Sequence, residues 1–175
     1  YVPSYDPETE KTENDPWRLV FDRFAPEGPL HTKPETIPNW KEYNAPIAAR
    51  FFSAHFCFTL GAFAKDVQHD PKMYFHGEEI SLAVRAYTHG YDLFHPHRPV
   101  IWHHYTRAKQ RRHWDDAKGW NKLDKDSHTR VRKLLGVDGE KLTKTDKCKY
   151  NLGTERSLGD YEKYAGVLFS KRKVQ

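Results

Sequence analysis

The chain has 175 residues, enough for one domain, since compact domains run to roughly 100–200 residues. A mean hydropathy of -0.92 marks a water-facing protein; no window approaches the ~18 consecutive apolar residues of a bilayer span, and no basic-then-apolar leader opens it. Five Trp, ten Tyr and ten Phe exclude a disordered chain, and two cysteines, Cys57 and Cys148, exclude a disulfide framework and point to a reducing, cytoplasmic setting.

Residues 1–47 hold eight of the eleven prolines, and proline removes a backbone donor, so an irregular connecting segment with aromatic anchors is expected there. Residues 48–60, dense in Phe and bounded by Pro46 and Gly61, read as one buried strand. From Gly77 to Gly90 the spacing of Ile80, Val84 and Tyr87, the opening Glu78 and Glu79 and the closing glycine predict a helix. Short strands are expected at 91–95 and 99–105, then a helix at 124–135 ending at Gly136. A second helix should open at Ser157 with a capping box closed by Asp160. Net charge is +5. The first 50 residues carry six basic against nine acidic residues, residues 51–105 four against five, and residues 106–175 nineteen against ten. That basic end suits an anionic partner, although such an excess is also common on a merely solvated surface.

Eight of the eleven histidines lie between His55 and His104. Imidazole is a common metal ligand, but neighbours on a strand point to opposite faces, so His103 and His104 would not serve one site together. The Gly77, Glu78, Glu79 triplet is a sharper signal. Two carboxylates at a helix N-terminus sit where the backbone dipole and unpaired N–H groups favour anions, glycine permits close approach of a ligand, and Tyr74, Phe75 and His76 could wall a sugar-sized pocket. A well-capped helix would look the same.

The stretches Phe-Phe-Ser-Ala-His-Phe-Cys-Phe from Phe51, Asp-Pro-Lys-Met-Tyr-Phe-His-Gly-Glu-Glu-Ile from Asp70 and Ile-Trp-His-His-Tyr-Thr-Arg from Ile101 together resemble the second half of the Skp1-type hydroxyproline N-acetylglucosaminyltransferase family. Their order is also similar to that of the polypeptide N-acetylgalactosaminyltransferases, and the segment from Leu152 to Phe169 is similar to the end of the Skp1-type family. The resemblance implies an α/β chain, the acceptor-side C-terminal half of a GT-A nucleotide-diphospho-sugar transferase fold, with a mainly helical C-terminal extension. Residues 48–107 would be the core half and 108–175 a basic helical extension of the same domain.

It further implies a metal-dependent, retaining glycosyltransferase that moves N-acetylglucosamine from a UDP-sugar to a protein or peptide hydroxyl, with Mn²⁺ or Mg²⁺ neutralising the diphosphate leaving group. On that basis Glu78 and Glu79 are the catalytic candidates, His104 a metal ligand and Arg107 a diphosphate contact. His55, Phe56, His76 and Gly77 would line the substrate site. Relatives hold the nucleotide through an upstream Asp-x-Asp or Asp-x-His, which nothing before Phe51 supplies, so the chain is expected to lack its N-terminal half. Asp124-Lys-Asp126 spells that pattern, but inside a helix residues two apart diverge. The competing expectation is a non-catalytic module whose Lys109, Arg111, Arg112, Lys118, Lys122, Arg130, Arg132 and Lys133 dock on nucleic acid or an acidic protein.

Overall fold

The structure is a computed structural model that describes residues 1–105, 110–146 and 148–175. In chain order it contains β1 (Tyr5–Asp6), β2 (Lys11–Thr12), β3 (Trp17–Phe24), β4 (Leu30–Thr36), β5 (Ile47–Ala49), α1 (Gly61–Asp66), α2 (Glu78–Thr88), β6 (Leu93–His95), α3 (His113–Asp116), α4 (Trp120–Leu135), α5 (Leu158–Ala165), β7 (Val167–Leu168) and β8 (Lys173–Val174). The strands pair as four two-stranded antiparallel ribbons, β1 with β2, β3 with β4, β5 with β6 and β7 with β8.

Helix α2 is the centre of the molecule. It buries Ile80, Leu82, Ala83, Val84, Ala86 and even Arg85, more than the single stripe of a surface helix. Ile80, Ala83 and Val84 pack with Val131, Leu134 and Leu135 of α4 and with Tyr161 and Ala165 of α5. On its other flank Leu82 and Ala86 meet Phe63 of α1 and Val67. Each fully buried side chain of this size contributes about 1.5–3 kcal/mol relative to exposure, so this contact set is the main source of stability. Arg85 is accommodated because its Nη1 donates to the Gln68 carbonyl at 2.7 Å and its Nε to that of Asn151 at 3.3 Å. The helix α5 begins as its sequence predicts: Ser157 Oγ accepts from the Asp160 N–H at 3.1 Å, and Asp160 accepts the Ser157 N–H at 2.9 Å.

Three expectations are corrected. Residues 1–47 are not uniformly irregular, since β3 and β4 are the longest strands in the described chain. Pro16 and Pro38 flank the hairpin and Pro26 and Pro29 sit in its turn. Pro34 lies within β4, but both strands of a two-stranded ribbon are edges, where a missing donor is tolerated. Residues 48–60 are not one strand: β5 ends at Ala49, and Phe58 and Leu60 are exposed. Their apolar character is spent on a turning segment that wraps the start of α2. The second short strand expected at 99–105 is reduced to a single bridge between Ser4 and His103. No helix among the described residues is long and apolar enough to cross a membrane.

Candidate functional site

The N-terminus of α2 is built by Gly77, which adopts φ 94° as the helix cap and whose carbonyl accepts the Ser81 N–H at 3.0 Å. The turn places Glu78 and Glu79 in the first helical turn with different surroundings. Glu78 reaches to His69, with 3.0 Å between Oε2 and Nε2. Glu79 reaches to another segment: its Oε1 accepts the Ala54 N–H at 2.8 Å and lies 4.0 Å from His55 Nδ1. Burial raises the Glu79 pKa, the Ala54 hydrogen bond opposes that rise, and the neighbouring Glu78 charge adds to it.

Glu79 lines a cavity of about 170 Å³ together with His76, Gly77, His31, Phe51 and Phe75. The His31 ring, from β4, stacks on His76 with centroids 5.1 Å apart. Both imidazoles have lowered pKa values, chiefly because burial disfavours the charged form; His76 adds to the lowering at His31, whereas Asp124 opposes it at His76. Phe75 enters this wall in a left-handed conformation, φ 53°, which is uncommon for a bulky residue. It contacts His76, His113 and Trp114 with centroids 4.7, 5.5 and 5.5 Å away. The open face of Gly77 is taken by Val131 of α4, so the glycine serves helix packing at that point.

A second, mostly apolar cavity of about 670 Å³ lies across Phe51 and Phe52, which line both. Phe56 faces this larger space together with Trp17, Phe63 and Tyr91. His55 is in the lining of neither cavity, and its ring lies 5.0 Å from His103 and 5.5 Å from Tyr105. His103 therefore turns toward the His55 and Glu79 side, while His104 follows it and is within electrostatic reach of Asp6. The described residues around His104 supply no group of three metal donors. Arg107 lies outside the described residues.

The structure thus gathers His76, Gly77 and Glu79 on one cavity and sets His55 against Glu79, while Phe56 faces the neighbouring cavity and Glu78 pairs with His69. It adds His31, which arrives from a distant hairpin and carries no local sequence signal. It also adds Asp124 and His128 of α4, whose acceptor and ring nitrogen lie 3.5 Å apart, with Asp124 Oδ1 3.9 Å from His76 Nδ1. Their four-residue spacing on a predicted helix was a readable signal. No curated protein and no solved structure matches the chain significantly. A family model described as glycosyltransferase (GlcNAc) matches residues 1–171.

Proposed function

Since the chain belongs to the glycosyltransferase (GlcNAc) family, we propose that it moves N-acetylglucosamine from a UDP-sugar to a hydroxyl of a protein or peptide, retaining the anomeric configuration, with Glu79 at the reacting centre. Membership makes it a glycosyltransferase. The donor nucleotide, the hydroxyproline-type acceptor, the stereochemistry and the GT-A assignment belong to the proposal.

The observation that carries it is the carboxylate of Glu79, held by the Ala54 N–H and lining a cavity walled by His31, His76 and Phe75. In the transfer the bond from the anomeric carbon to the diphosphate oxygen breaks, the acceptor oxygen bonds to that carbon, and the hydroxyl proton passes to a basic oxygen. A carboxylate with a raised pKa is a stronger hydrogen-bond acceptor and suits the task of orienting the hydroxyl. The aromatic rims offer apolar contact to a pyranose ring, and water is excluded on the side closed by Phe51 and Ile80. Glu78, engaged with His69, would support the position of the helix start. His55 and Gly77 would frame the sugar, Phe56 the adjacent space, and Arg107 the diphosphate. A divalent ion would supply charge neutralisation to the leaving group, but the described residues around His104 do not make a three-donor set for it.

Transfer from UDP-N-acetylglucosamine to hydroxyproline- and serine-bearing peptides, with and without Mn²⁺, tests this in the full chain. Glu79→Gln should lower kcat by roughly 100-fold or more, in the range that loss of a positioned acid–base group costs, while KM for the donor moves little. Glu78→Gln should lose less. A Glu79→Gln protein that is folded and within twofold of wild type would remove Glu79 from the chemistry.

A further inference from the structure

His76, Asp124 and His128 bring three donor atoms together within 4.8 Å of one another, on two elements that are 48 residues apart in the chain. Asp124 and His128 are successive-turn neighbours on α4, and His76 leads into α2. The separations from Asp124 Oδ1, 3.5 Å to His128 Nε2 and 3.9 Å to His76 Nδ1, are long for hydrogen bonds. They are close to the ~3.3 Å edge of a tetrahedron whose metal bonds are about 2.0–2.1 Å.

The two halves of the cluster are also fastened to each other by the residue between the helical donors. Ser127 is fully buried; its hydroxyl accepts the Tyr74 N–H at 3.0 Å and donates to the His76 carbonyl at 3.2 Å. The backbone of His76 is therefore tied to α4 next to His128 before any ion arrives, and the side chains need move by only about an ångström to close on one. His128 and Asp124 are largely shielded, with side chains 10% and 23% exposed, whereas His76 is open to solvent at 47%, which leaves an entry path.

We propose that His76, Asp124 and His128 form a binding site for a divalent transition metal of the zinc class, separate from the catalytic carboxylate and from His104. Two imidazole nitrogens and one carboxylate oxygen are a borderline-soft donor set that suits Zn²⁺, Co²⁺ or Ni²⁺ better than Mg²⁺ or Ca²⁺. Three protein ligands leave at least one position for water. The ion cross-links α4 to the lead-in of α2, and so fixes the wall of the cavity that Glu79 faces.

The test needs neither donor nor acceptor, so its failure is independent of the transferase assignment. Metal-stripped full chain is titrated with Co²⁺ and followed by ligand-field absorption, then back-titrated with Zn²⁺, and thermal unfolding is recorded with Zn²⁺ and with EDTA. One Co²⁺ per chain should bind and be displaced by Zn²⁺, with a rise in Tm. His76→Gln and Asp124→Asn should weaken Co²⁺ binding at least tenfold, and His97→Gln should leave it unchanged. The His76 side chain is exposed, so its variant should match wild-type circular dichroism in EDTA and keep the comparison clean. Absence of stoichiometric uptake, uptake by His76→Gln equal to that of wild type, or loss of uptake in His97→Gln would each overturn the proposal.

Discussion

Gly77 joins two constraints at one residue. Its φ of 94° lies in the region that side chains avoid, and a Cβ there would collide with the Val131 side chain on α4. Gly77→Ala is expected to destabilise the protein by about 1–3 kcal/mol through strain and overpacking, read as a lowered denaturant midpoint with an unchanged slope. It should also reduce transfer, because the helix start that aims Glu79 has to shift. An unchanged midpoint would show that α4 yields freely at this contact. The adjacent carboxylates were legible in the sequence as a dipole-favoured pair. Their division of labour was not, because only the turn at Ala54 and the position of His69 decide which partner each of the two meets.

At the scale of elements, the β3–β4 hairpin is joined to the β5–β6 ribbon by one buried histidine. The Leu19 N–H donates to His95 Nε2 at 3.3 Å, a bond that requires the unprotonated nitrogen. Burial lowers the His95 pKa from 6.5 to about 4. The unfolded chain therefore binds the proton more readily than the folded one between these values. The associated stability is fully present above pH 6.5 and lost as pH falls toward 4, by up to about 3 kcal/mol. Denaturant unfolding at pH 7 and pH 4.5 should show this loss in wild type and a smaller one in His95→Gln; equal slopes would mean that the site is hydrated. The helix starts were readable because caps are local, as Ser157 and Asp160 demonstrate. The hairpin was hidden because the prolines that suggested an irregular connection occupy its ends, its turn and an edge position, which local composition cannot distinguish from loop.

Across the whole molecule, five of the eight basic side chains named as docking candidates are held in ion pairs. Arg130 pairs with buried Asp70, Arg132 with Glu140 at 2.7 Å, Lys133 with Asp146 at 3.2 Å, Lys122 with Asp126 at 2.7 Å, and Arg111 with Asp116. Cations already held by carboxylates release few counterions, so a nucleic-acid platform is disfavoured. Fluorescence anisotropy with a random-sequence oligonucleotide should show no saturable binding at 150 mM salt; tight binding with a steep salt slope would restore the docking-module alternative. From the sequence by itself came the single water-facing domain, the helix behind Gly77, the capping box of α5 and the carboxylate pair, all set by spacing over a few residues. The tertiary structure alone decided that Glu79 faces a cavity with His31 and His76, that His103 and not its neighbour turns toward His55, and that Asp124 and His128 meet His76. Those meetings depend on how α4 and the hairpin pack around α2, which is settled by burial of apolar surface between distant segments and leaves no trace in local order.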